Sequence, residues 1–126
     1  MLGRRVLVLS EDRLLVDLVT TNLGRRGYEV QNTSLGRACQ YRWAGLDSEL
    51  LLLDAEPPGC DPVMAVQLLL ASGWRDNVPV VVLCDAAPDG NGLDSRWGVH
   101  WVVKPFTIEA LLLAVRRAMS GGQGLN

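Results

Sequence analysis

Three stretches of this sequence are apolar without a break: VLVL inside Arg4–Ser10, LLLL inside Leu50–Asp54, and VVVL inside Val78–Cys84. A strand that faces water on one side alternates apolar with polar residues. A strand with no alternation is covered on both faces, and such strands belong to parallel sheets. Parallel strands need crossover connections, and the intervening segments read as helices. The run EDRLLVDLVTTNLGRRG carries Leu15, Leu18, Val19 and Leu23 at helical spacing, with Gly27 as a stop. YEVQNT is a shorter, less apolar strand suited to a sheet edge. A weak helix spans Leu35 to Leu46 and carries Ala38, Tyr41 and Trp43. Asp61-Pro62 opens another helix, with Asp61 as cap, and Gly73 closes it. WVV, Trp101 to Val103, is a fifth strand. Thr107 caps a last helix with an apolar stripe of Ile108, Leu111, Leu112, Val115 and Met119, and Arg116 and Arg117 lie near its end.

Strand and helix thus alternate five times. With right-handed crossovers, this predicts an α/β fold: a doubly wound, five-stranded parallel sheet of the flavodoxin-like order 2-1-3-4-5, with helices on both faces. The chain of 126 residues, 48% hydrophobic, is enough for one domain. We read that domain as residues 1–119, and the Gly-rich stretch 120–126 as a flexible tail or the start of a linker. Twelve basic against fourteen acidic residues leave a net charge of −2 and no footprint for direct nucleic-acid binding. No apolar run reaches membrane-spanning length, and no signal peptide is read at the start. Cys39, Cys60 and Cys84 are scattered, which predicts reduced thiols and a cytoplasmic setting.

In such sheets the site lies at the carboxyl ends of the strands. The first strand ends in Ser10-Glu11-Asp12, the third in Asp54, the fourth in Cys84-Asp85 and the fifth in Lys104-Pro105. Adjacent parallel strands lie ~4.8 Å apart, which would crowd Glu11, Asp12 and Asp54 into one pocket. Clustered carboxylates repel unless protonated or bridged by a cation, and Mg²⁺ suits a shallow oxygen-lined site. An Asp in such a place is able to attack a phosphoryl group, with Lys104 balancing the charge. Each piece taken singly has an ordinary explanation: an acidic pair favouring a helix start, a turn-forming Asp, a strand-to-helix turn. Together they would need three coincidences on one sheet edge.

The order of these motifs resembles the receiver domain of bacterial response regulators, the family of the chemotaxis regulator. The residues that carry it are Glu11-Asp12, Asp54, Pro58-Gly59 and Lys104-Pro105-Phe106, and it covers roughly residues 4 to 119. The resemblance implies that Asp54 is a phosphoacceptor, and that Asp12 ligates Mg²⁺ directly with Glu11 acting through water. It also implies a further ligand in the backbone carbonyl of Glu56, phosphoryl binding by Lys104, and a cis Lys104–Pro105 bond. The expected donor is a histidine kinase or phosphotransfer protein. The expected turnover is at most slow autodephosphorylation, so no enzyme is expected.

The chain departs from this pattern in four places. Cys84 stands where the family has Thr or Ser, and a thiol is a weak donor. Asp85 adds a carboxylate where the family has a small residue. The stretch Asp85 to His100 holds turn chemistry in place of a fourth helix, with at most a helical turn at Leu93 to Trp97. Trp101 replaces a Tyr or Phe. The surface around Trp97, His100 and Trp101, formed by the fourth helix, fifth strand and fifth helix, is the expected docking face for a partner or a second copy. A phosphorylation-independent interaction module is the alternative function. A haloacid-dehalogenase-type phosphatase is set aside because its Asp follows the first strand, and flavin binding because no hydroxyl-rich phosphate loop follows that strand.

Overall fold

The computed structural model describes residues 4–34, 48–55, 61–71, 78–86 and 99–121. The helix read at 35–46, the Gly73 stop of the helix opened by Asp61-Pro62, Glu56, Pro58-Gly59 and the Leu93–Trp97 turn all lie outside these residues. So do residues 87–98 of the turn-rich stretch from Asp85 to His100, and the tail after Gly121.

The described elements are strand β1 (Arg5–Leu9), helix α1 (Arg13–Gly24), strands β2 (Glu29–Thr33) and β3 (Leu50–Asp54), and helix α2 (Pro62–Ala71). Strands β4 (Val80–Cys84) and β5 (Val99–Val103) and helix α3 (Ile108–Gly121) follow. The five strands form one all-parallel sheet in the order β2-β1-β3-β4-β5. This is the doubly wound, flavodoxin-like architecture expected from the continuous apolar strands.

Every residue of β3 and β4 is buried, and four of five in β1. Period-two alternation divides their side chains between two cores. Leu7, Leu9, Leu51, Leu53, Val80 and Val82 pack with Ala65 and Val66 of α2. Val6, Val8, Leu50, Leu52, Val81 and Leu83 pack with α1 and α3 on the opposite face. β2 lies at an edge and is largely exposed, in line with its polar composition.

Local chemistry sets the helix boundaries. Asp12 accepts from the Leu14 and Leu15 amides and caps α1. Gly27 has φ +91°, the left-handed conformation that lets the chain turn back after α1, and the Tyr28 amide closes onto the Leu23 carbonyl at 3.1 Å. Asp61 accepts from the Val63 amide at 3.0 Å, and Thr107 from Ala110 at 3.0 Å, so both expected caps form.

Four expectations need adjustment. Leu18 is exposed: Leu15, Val19 and Leu23 make the buried stripe of α1, and Leu18 falls on its margin. β4 begins at Val80 rather than Val78, because Pro79 has no N–H for the ladder and contributes only its carbonyl, to Leu51. β5 begins two residues before Trp101, because five residues of β4 offer pairing to Val99 through Val103. α3 runs to Gly121, past Met119, where the domain boundary was drawn.

Candidate functional site

The register of β1 against β3 builds the site. Val6 pairs with Leu50 and Leu9 with Leu53, a constant offset of 44 residues. One step further, the same offset sets Ser10 beside Asp54, with both side chains on the face shared by Val8 and Leu52. The Ser10 hydroxyl donates to Asp54 Oδ2 at 2.7 Å, and this bond is buried. Ser10 Oγ in turn accepts from the Asp12 amide at 3.0 Å. The edge residue Asn32 holds the end of β1, donating from its side chain to the Val8 and Ser10 carbonyls.

Lys104 arrives from the other side. Its amide donates to the Cys84 carbonyl at 2.8 Å, extending the β4–β5 ladder by one step. Its Nζ then reaches Asp54 Oδ1 at 2.6 Å, and the Lys104–Pro105 peptide bond is cis. Both carboxylate oxygens of Asp54 therefore have a donor, and the Asp54 side chain is only 3% exposed. Burial of a carboxylate is costly unless it is paired and hydrogen-bonded, and here it is both.

The other expected site residues lie apart from this centre. The Asp12 carboxylate is turned onto the first turn of α1. Glu11 and Asp85 are exposed. Cys84 is buried, and its thiol's partner is the Val102 carbonyl at 3.8 Å. Burial pushes the Cys84 pKa up, Asp85 adds to the effect, and Lys104 and the Ala86 amide oppose it. Cys84 is thus a neutral packing residue that bonds along the sheet. His100 and Trp101 are both half-buried on β5. Trp101 packs against the core that contains Val80, Val82 and Cys84. The His100 pKa is lowered by burial and then by Arg117. Glu56 and Trp97 lie outside the described residues.

Mg²⁺ demands close to octahedral oxygen coordination. Among the described residues no three His, Cys, Asp or Glu side chains gather into a possible metal site. Asp12 caps a helix, Glu11 is exposed and Asp54 is engaged through both oxygens, so these residues do not fit a resident Mg²⁺. The residue brought to Asp54 from β1 is Ser10, which the motif reading passed over. The signal that finds it is register: strands of equal apolar length, aligned by their carboxyl ends, place position 10 opposite position 54.

No family model matches the chain. Its sequence is 30% identical over 115 residues to the DNA-binding dual master transcriptional regulator RpaA of Synechocystis, covering 89% of this chain and 47% of that protein. It is 31% identical over 125 residues to the transcriptional regulatory protein HprR of Escherichia coli, covering 97% of this chain and 54% of that protein. The chain thus spans about half the length of these relatives. The response regulator receiver domain protein (CheY-like) of Methanospirillum hungatei superposes with a TM-score of 0.74 at 23% identity, over 96% of this chain and 98% of that one. Over nearly its whole length the chain thus has the fold of response-regulator receiver domains, and its sequence is similar to response regulators.

Proposed function

We propose that this chain acts as the phosphoacceptor module of a two-component system. A carboxylate oxygen of Asp54 forms a bond to phosphorus as the phosphorus–nitrogen bond of a donor phosphohistidine breaks, and the departing imidazole nitrogen takes a proton from water. Lys104 keeps its ammonium beside the new phosphoryl oxygens, as a mobile point charge does. The observation that carries this reading is a buried carboxylate at the carboxyl end of the central strand with an ammonium at 2.6 Å. The donor is a histidine kinase or phosphotransfer protein, which the similarity to response regulators supports. The setting is cytoplasmic; no helix among the described residues is long and apolar enough to cross a membrane. The chain is not an enzyme in this reading, and hydrolysis of the aspartyl phosphate is its only turnover. A groove of about 470 Å³ between β5 and α3, lined by Trp101, Val103, Phe106, Leu113 and Arg117, is where a partner or second copy docks.

Intact-mass measurement after treatment with acetyl phosphate tests the proposal. One base-labile phosphoryl adduct is expected, and Asp54→Asn abolishes it. Absence of any adduct under forcing conditions overturns the reading.

One observation favours the alternative of a phosphorylation-independent interaction module. Ser10 and Lys104 each donate to one Asp54 oxygen and its side chain is only 3% exposed, so a phosphodonor must compete for a carboxylate that is already paired and nearly enclosed. In that case Asp54→Asn leaves partner binding unchanged and no adduct forms.

A further inference from the structure

We propose that Ser10 and Lys104 together close the Asp54 pocket to divalent cations, so that the resting site is a metal-free Ser10–Asp54–Lys104 network. The inference deepens the reading of Asp54 as the acceptor and concerns what holds that carboxylate before any phosphoryl group arrives.

Three observations carry it. The first is occupancy. A hydroxyl has one proton to give. Ser10 gives it to Asp54 Oδ2 at 2.7 Å and accepts the Asp12 amide at 3.0 Å, so its proton and one lone pair are committed. The second is the state of Asp12. Its carboxylate takes the Leu14 and Leu15 amides, and swinging it toward Asp54 would leave both amides at the start of α1 without that partner. The third is charge. Among the described residues the one buried carboxylate is that of Asp54, with the Lys104 ammonium 2.6 Å from it, while Glu11, Asp12 and Asp85 are exposed, so the pair itself has no net negative charge to draw in a divalent ion. Mg²⁺ gives up its waters reluctantly and needs carboxylate charge to do so. A pair that is already neutral, with the one buried carboxylate among the described residues bonded to a cation, does not supply that charge.

Two changes should reopen the pocket. Ser10→Asp sets a second carboxylate against Asp54, and two carboxylates at such a distance repel unless a cation joins them. Lys104→Met keeps the length of the side chain and removes the ammonium, leaving Asp54 unbalanced. The experiment is a MgCl₂ titration of the full chain into the millimolar range. Melting temperature and tryptophan fluorescence are followed for the wild type, Ser10→Asp, Lys104→Met and Asp54→Asn. An ion that binds only the folded state raises the melting point as binding saturates. The wild type should stay flat. Ser10→Asp and Lys104→Met should start lower and recover with Mg²⁺, with affinity at least about tenfold above any wild-type response, as expected when site charge is raised. If Ser10→Asp does not fold, Lys104→Met carries the test alone.

Saturable stabilisation of the wild type that Asp54→Asn removes would overturn the proposal. So would a flat response in every folded variant, because Ser10 and Lys104 would then not be what excludes the ion. The acceptor reading fails separately: a phosphodonor that leaves no adduct on a chain with a flat Mg²⁺ response removes the receiver activity and leaves the network in place.

Discussion

β3 and β5 bring opposite charges to the same edge of the sheet: β3 ends on Asp54, β5 is followed by Lys104, and the two meet at 2.6 Å. Their surroundings differ sharply. β3 lies at the centre of the sheet with all five residues buried. β5 is an edge strand whose Val103 is exposed and whose His100 and Trp101 are half-covered. The Asp54 side chain is 3% exposed and that of Lys104 21%. The same ion pair therefore joins a nearly enclosed charge to one that is partly open to water. Separating them costs most on the β3 side, where the carboxylate is nearly enclosed. Burial makes β3 the fixed half of the site and β5 the adjustable half.

The sharpest test of this contrast is a paired truncation. Leu52 is fully buried between β1 and β4, and Leu52→Ala should cost about 2–5 kcal/mol through lost contacts and the cavity left behind. Val103→Ala, at the exposed end of β5, should stay within about 0.5 kcal/mol. Urea unfolding of both variants checks it, and equal costs would mean that β5 is covered in solution by something that buries Val103.

The next effect lies in the ion pair. Lys104→Ala strands the enclosed Asp54 carboxylate with Ser10 as its remaining donor among the described residues. The loss should be about 2 kcal/mol, below the range for a fully buried pair because Lys104 is partly exposed and Ser10 stays in place. Asp54→Asn should cost less: the amide oxygen still accepts from Ser10, and the released ammonium turns toward water. If the two variants unfold at the same denaturant concentration, the asymmetry between β3 and β5 is wrong.

The same contrast explains what was legible in the sequence. Continuous apolar strands exposed the parallel sheet, because burial on both faces leaves a pattern that no other arrangement needs. The edge strand was harder. His100 interrupts the apolar run of β5, so its first two residues read as loop although β4 pairs with them. Pro79 blurred the start of β4 in the opposite sense, since it is apolar but donates nothing to the ladder. Asp54 and Lys104 were found because each is a charge set at the end of an apolar strand. Ser10 was not, because a single hydroxyl carries no such signal and its role appears only when two strands 44 residues apart are put in register. The resemblance to receiver domains makes Asp12 a direct Mg²⁺ ligand. The geometry gives it the other task an Asp performs before a helix, which is to satisfy that helix's first amides.

Asp12 offers a smaller and more selective test. Asp12→Ala removes the α1 cap and should cost about 1 kcal/mol. Asp12→Asn keeps an oxygen facing the Leu14 and Leu15 amides and should retain most of the stability. Thermal unfolding in chelator compares the two. A large loss in Asp12→Asn that only added Mg²⁺ reveals would restore the residue to the metal role and place it with Asp54 rather than with α1.

The weakest expected effect belongs to β5 and is read from pH. His100 is the chain's one histidine, and burial, then the nearby Arg117, lowers its folded-state pKa from the ordinary 6.5. The unfolded chain therefore takes up a proton on this side chain at a higher pH than the folded one. Stability is unaffected above the unfolded pKa, declines as pH falls below 6.5, and levels off once the folded form is protonated too. His100→Gln should flatten the stretch of the stability curve just below neutrality, before the carboxylates begin to titrate. His100 lies on β5, so the difference in slope between the two proteins reports on the edge strand. An unchanged slope in His100→Gln would mean that water reaches the imidazole as freely in the folded chain as in the unfolded one. The half-covered description of β5 would then fail at its centre.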